Sequence, residues 1–162
     1  MRRKSFAVVA TGVMAVAALS LSTGSASAGA NDTFYPWQNG KSGRCLSLSG
    51  GGSTSNGVNA VIYDCNGGDE QYWGYYTSGE LVNLKSGKCL STASGGGTAN
   101  GTEVIQWTCN GGAEQQWYRS SAGEWVNGKA GKCLSTASGG GTANNTKVII
   151  WSCNGGAEQY WY

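Results

Sequence analysis

The sequence predicts an all-β, closed barrel assembled from three tandem copies of one unit. Three observations carry that prediction. The six cysteines fall at 45, 65, 89, 109, 133 and 153, two interleaved series that each advance by 44 residues. The twelve residues CLSTASGGGTAN are written at Cys89–Asn100 and written again at Cys133–Asn144. Short β-branched and aromatic runs, EVIQWTC and KVIIWSC, are bounded by Gly and Asn, and past the leader no stretch sustains a 3.6-residue apolar period.

The elements follow in chain order. Arg2, Arg3 and Lys4 precede a 16-residue apolar run, Phe6–Leu21, and then a small-residue zone. That three-part pattern predicts a signal peptide over 1–28, cut after Ala28, with Ala30 as the rival position, and hence a secreted protein. The run is short for a hydrocarbon core of about 30 Å, so membrane insertion is not expected. Residues 29–32 form a short tail. Of 11 basic and 9 acidic residues, three basic ones leave with the leader, so the mature net charge is about −1. That balance argues against nucleic acid or an anionic membrane surface as partner. The chain has no histidine, which removes the commonest general base and the commonest metal ligand.

The remaining sequence divides into units at 33–76, 77–120 and 121–162. Gly43–Trp73, Gly87–Trp117 and Gly131–Trp161 align without a gap. Each unit reads as about four short strands, with YTSGEL and SSAGEW as the turns between units. A unit of this size cannot bury a core by itself, so the three must share one. Closing twelve short strands into a barrel also removes free edges. The closing Gln-x-Trp of each unit supplies the expected core indoles, Trp73, Trp117 and Trp161. Six cysteines in an exported chain read as disulfides, and the threefold repeat favours Cys45–Cys65, Cys89–Cys109 and Cys133–Cys153 out of fifteen pairings. With no CxxC pair and no histidine, no metal site or cofactor is expected.

Three units, each with GKCL or GRCL, a TANGT-like turn, a segment of the type WTCNGG and a final Gln-x-Trp, resemble the ricin B-type β-trefoil lectins, including the family 13-like carbohydrate-binding modules of secreted bacterial proteins. The resemblance covers nearly all of the mature chain. It implies a β-trefoil with pseudo-threefold symmetry, the disulfides named above, and up to three sugar pockets. It places the stacking platform at the aromatic two residues before each second cysteine: Tyr63, Trp107 and Trp151.

The chain departs from the family pattern in one respect, and does so in every unit. Where the family carries aspartate two residues after the first cysteine, this chain has Ser47, Ser91 and Ser135. Where the family has asparagine before the closing glutamine, it has Glu70, Glu114 and Glu158. One reading keeps the pocket with exchanged roles: glutamate as acceptor, serine as a weaker partner, and Gln71, Gln115 and Gln159 as the remaining polar contacts. A second makes the sugar pockets degenerate and the chain an adhesion or targeting subunit for a protein partner in a secreted assembly. A third assigns serine and glutamate only to turns. Catalysis is not expected: Glu103 and Glu114 are the one obvious carboxylate pair, and Asn59 and Lys147 stand at the equivalents of Glu103. The reading is a monomeric lectin for a cell-surface glycan or polysaccharide.

Overall fold

The computed structural model describes residues 33–162, so the expected leader, its cleavage point and the tail at 29–32 lie outside the described residues. After a lead-in strand β1 (Phe34–Tyr35), unit 1 supplies β2 (Cys45–Leu48), β3 (Ala60–Tyr63) and β4 (Trp73–Tyr75). Unit 2 supplies β5 (Leu81–Asn83), β6 (Cys89–Thr92), β7 (Val104–Trp107) and β8 (Trp117–Arg119). Unit 3 supplies β9 (Trp125–Asn127), β10 (Cys133–Thr136) and β11 (Thr146–Trp151). Two further segments, Gln38 with Asn39 and Tyr160 with Trp161, are reduced to isolated bridges, Asn39 pairing with Trp161. They close the barrel between first and last units: Gln38 N–H donates to the Tyr162 carbonyl (2.7 Å) and Tyr162 N–H donates back (2.8 Å).

One antiparallel hairpin recurs in each unit, and its register is the same each time. Cys45 faces Tyr63, Cys89 faces Trp107 and Cys133 faces Trp151. The hairpins meet round a pseudo-threefold axis through Asn59↔Ile105, Glu103↔Ile149 and Lys147↔Val61. The molecule is a β-trefoil. On the axis side of these seams the three equivalent positions carry three different charges. Glu103 accepts from Lys147 Nζ and from Asn59 Nδ2, the latter at 3.0 Å. Three glutamates would repel there, whereas this mixed set pairs.

The shared core is threefold as well. Trp73, Trp117 and Trp161 are buried to 0–1% exposure, packed with Leu46, Leu90, Leu134, Ile62 and Ile150. Each buries about 150–250 Å² of ring and still satisfies its one donor. The three indole N–H groups donate to the carbonyls of Leu46, Leu90 and Leu134 at 3.1, 3.0 and 3.1 Å. Disulfides Cys45–Cys65, Cys89–Cys109 and Cys133–Cys153 each span 20 residues. Closing a loop of that length contributes about 3 kcal/mol in the chain-entropy picture.

Two kinds of turn position the side chains that matter below. Ser49–Gly52, Ala93–Gly96 and Ala137–Gly140 follow the first hairpin strand of each unit. They are tight reversals rather than helices, because two inner residues of each are left-handed: Gly50 and Gly51, Ser94 and Gly95, Ser138 and Gly139. Short 3-10 turns at Asp69–Gln71, Ala113–Gln115 and Ala157–Gln159 then set each glutamate and glutamine before the core tryptophan.

Candidate functional site

The hairpin register has a direct consequence for exposure. Leu46, Leu90 and Leu134 turn inward, while the aromatic opposite each first cysteine is left on the outside. Tyr63, Trp107 and Trp151 are 37%, 43% and 42% exposed, against 0–1% for the core tryptophans. A concavity lies beside each. Trp107 shares its cavity of about 370 Å³ with Ser91, Thr92, Asn110 and Glu114. Trp151 shares one of about 460 Å³ with Ser135, Thr136, Asn154 and Glu158. Tyr63 shares one of about 390 Å³ with Ser47, Leu48, Asn66 and Glu70. The left-handed glycine loop forms the lip in all three.

Twelve residues were singled out by sequence, and nine of them line these cavities: the three serines, three aromatics and three glutamates. The three glutamines do not, and their expected role is corrected. Gln71, Gln115 and Gln159 are buried at 0–1% exposure. Gln115 Oε1 accepts from Asn110 N–H (2.8 Å) and its Nε2 donates to the Thr108 carbonyl (3.0 Å). The same pair of bonds recurs at Gln71, to Asn66 and Asp64, and at Gln159, to Asn154 and Ser152. A primary amide buried this deeply, with its oxygen and its nitrogen each already bonded to backbone, lies out of a ligand's reach. The glutamines act as pins that hold the loop after each second cysteine.

That loop carries a residue which sequence reasoning missed. Asn66, Asn110 and Asn154 line the pockets, each with its Oδ1 fixed by a backbone N–H two residues on, at 2.8, 2.7 and 2.8 Å. The carbonyl is thereby committed and the NH₂ is turned outward. In unit 2 it donates to Glu114 Oε1 at 3.3 Å. The asparagine recurs in every CNGG, so repetition marked it, but glycine-rich context made it read as a turn residue.

Two further features come from outside the unit. Lys85 Nζ, from unit 2, donates to the Gly51 carbonyl of unit 1 (3.1 Å) and lies 3.8 Å from Glu70. Lys129 and Lys41 make the corresponding bond to Gly95 and Gly139 at 3.4 Å. Each glycine lip is therefore held by a lysine of the following unit. Thr92 and Thr136, both lining residues, keep buried Oγ1 atoms without a partner. An unpaired buried hydroxyl costs free energy, and these two atoms lie covered beneath the pocket wall, on the inward face that they share with Leu90 and Leu134.

Glu103 and Glu114 are not brought together as a pair. Glu103 is engaged by Lys147 and Asn59, whereas Glu114 lines the Trp107 pocket. Among the described residues, Glu124 lies beside Cys133 and Cys153, but those sulfurs form a disulfide and offer no thiolate to a metal.

A family model for the ricin-type β-trefoil lectin domain matches residues 33–161. The chain belongs to the ricin-type β-trefoil lectin family. Ricin-type domains are carbohydrate-binding domains. The domain is similar to a designed threefold-symmetric protein, ThreeFoil, at 33% identity and a TM-score of 0.73, over 79% of this chain and 95% of that one. It is also similar to part of an exo-β-1,3-galactanase from Clostridium thermocellum, at 28% identity, TM-score 0.72, over 80% of this chain and 29% of that one. The hemolytic lectin CEL-III matches at 30% identity, TM-score 0.68, over 80% of this chain and 30% of its own. The chain thus spans the length of the designed protein but under a third of the other two. No curated protein matches the chain.

Proposed function

We propose that this ricin-type domain is a secreted, non-catalytic lectin that holds carbohydrate through up to three pockets. The observation that carries the reading is the threefold recurrence of one constellation. An exposed aromatic face, a glutamate, an asparagine amide and a serine converge on each concavity, while the five other tryptophans of the fold are buried or half-buried. A flat ring accepts the C–H face of a pyranose, and a few convergent polar groups take its hydroxyls. Glutamate replaces the acceptor that the family draws from aspartate on the opposite wall. One carboxylate per pocket is suited to binding, whereas glycoside hydrolysis uses two. Three disulfides suit an oxidising compartment. Three sites on one rigid body suit a polysaccharide or a glycan-covered surface, because linked weak sites gain avidity.

The test is a glycan array with the mature protein, β-1,3-galactans included because of the galactanase similarity. Tyr63→Ala, Trp107→Ala and Trp151→Ala together abolish retention on the preferred glycan and, being exposed positions, leave the melting temperature within about 2 °C. Unchanged retention would overturn the reading.

A second reading has one observation in its favour. Tyr35 and Tyr75 are exposed and join Trp37, Trp125 and Arg119 in an aromatic cluster away from the pockets, with Arg119 stacked 4.7 Å from the Trp37 ring centre. Such a face suits a protein partner. A pull-down from culture supernatant that survives excess free sugar and is lost in Tyr35→Ser with Tyr75→Ser supports that partner; loss on adding sugar refers the capture to the pockets.

A further inference from the structure

The three pockets are near copies, but what adjoins them is not. Beyond Asn110 in unit 2 lies a separate cleft of about 520 Å³, larger than any of the three pockets. Its walls are the β5–β6 turn, with Lys88, and the loop after Cys109, with Tyr76 and Glu80 at one end and Thr108 at the other. Asn110 lines both this cleft and the Trp107 pocket, so the two concavities share one wall. The cleft presents the Tyr76 ring, the Lys88 ammonium, the Glu80 carboxylate, one oxygen of which accepts from Ser78 Oγ at 2.5 Å, and the Thr108 hydroxyl, which donates to Asn56 Oδ1 at 3.1 Å and keeps its acceptor side. That set offers hydrogen bonds of both senses beside an aromatic ring, the same chemistry as the pocket itself.

The matching place in unit 3 differs. Tyr76 is replaced by Ser120, whose hydroxyl donates to Glu124 at 3.0 Å as Ser78 does to Glu80 in unit 2, so the carboxylates are alike and the ring is what differs. The aromatic wall is missing there.

We infer that unit 2 carries an extended site for an oligosaccharide: one sugar ring on Trp107, the chain passing over Asn110, and a further ring in the cleft against Tyr76 between Lys88 and Glu80. This rests on the lectin reading and adds to it. Unit 3 holds a terminal or single ring, whereas unit 2 reads chain length. Both compartments fall within the range of about 300–1,000 Å³ typical of small-molecule sites. The shared asparagine is pinned through Gln115, so the wall that a bound chain would cross is rigid.

The experiment uses two mature chains, each left with one pocket. Tyr63→Ala with Trp151→Ala leaves unit 2; Tyr63→Ala with Trp107→Ala leaves unit 3. Both are titrated calorimetrically with gluco-, galacto-, manno- and xylo-oligosaccharides of one to four residues, α- and β-linked. For the series that binds, the unit-2 chain gains at least tenfold in affinity between one and three residues, and the unit-3 chain changes less than threefold. Tyr76→Ser in the unit-2 chain removes the gain and leaves the monosaccharide affinity as it was. Equal length dependence in both chains, or a gain that survives Tyr76→Ser, overturns the extended site and leaves the lectin reading standing. No binding by either folded chain removes the lectin reading and the extended site with it.

Discussion

Gln115→Met separates a residue that holds the site from one that belongs to it. Methionine fills nearly the same volume, so the change creates little cavity. It does remove two bonds, from Asn110 N–H at 2.8 Å and to the Thr108 carbonyl at 3.0 Å, made by a side chain with no exposure. Stranding a buried donor or acceptor costs about 1–3 kcal/mol each. The two backbone groups lie in a loop that water can partly reach, which puts the sum near the low end, about 2–3 kcal/mol. For a domain of this size that is a fall of roughly 6–12 °C in melting temperature. The bonds that position Asn110 loosen as well, so sugar affinity at unit 2 weakens while units 1 and 3 keep theirs. Denaturant unfolding of the mature protein gives the first quantity, and titration of the unit-2-only chain gives the second. A stability loss under about 0.5 kcal/mol with binding abolished would refute the assignment, because that is the signature of a direct ligand contact.

Two further outcomes test the seams and the lips. Lys147 donating to Glu103, helped by Asn59 and opposed by burial, holds the Glu103 carboxyl below the usual carboxylate range. A depressed folded value means the stabilisation is fully present above the ordinary value of about 4.3 and is lost as pH falls through the lower folded one. The stability difference between wild type and Lys147→Met therefore shrinks on acidification from pH 6 toward pH 3, from a start below about 1 kcal/mol because the pair is exposed; a difference that grows on acidification contradicts the assignment. At the unit-2 lip, Gly96 has φ +83°, and an added methyl would meet Lys129 Nζ at 2.5 Å and Glu114 Cβ at 3.0 Å. The lysine tip can move but the backbone cannot, so Gly96→Ala costs about 1–2 kcal/mol in denaturant unfolding and displaces Glu114 from the pocket, and an unchanged midpoint would show that the turn is free to rearrange.

The repeat made the fold legible because a 44-residue period leaves so few ways to bury the Gln-x-Trp indoles and close the edges. It also made the serines, glutamates and aromatics legible as repeated groups near each hairpin. It failed to separate Glu114 from Gln115. Both recur in all three units, so repetition weights them equally, and a one-residue step in a 3-10 turn decides which is buried. Strand alternation gives no help in such a turn. Asn110 was hidden for a different reason: its side chain does serve a turn, through the bond from Gly112 N–H, and the same bond aims its amide at the pocket. The lip lysines carry no signal within their own unit, because the carbonyls they bond belong to the unit before.

Those seam contacts explain why the same twelve residues are written twice. A single copy does not contain a site. Each pocket combines its own hairpin and glycine lip, a lysine from the following unit, and a turn from the preceding one. Gly57 of unit 1 lies against Trp107, and Gly101 of unit 2 against Trp151, a methyl on either being 3.8 Å from the outer ring carbon. At the third seam the turn residue is Asn145, held at φ +65°, and it lines the unit-1 pocket, whose aromatic is Tyr63. A larger turn residue thus faces a smaller ring, across a boundary between units at opposite ends of the chain. Leu48 replaces Thr92 and Thr136 in the same pocket, so the unpaired hydroxyl is absent there too. Changes that compensate across a seam act on the assembled pocket rather than on a copied segment. Around the ring itself, units 2 and 3 therefore share one form of pocket and Asn145 completes another, while the cleft beyond Asn110 sets unit 2 apart from unit 3.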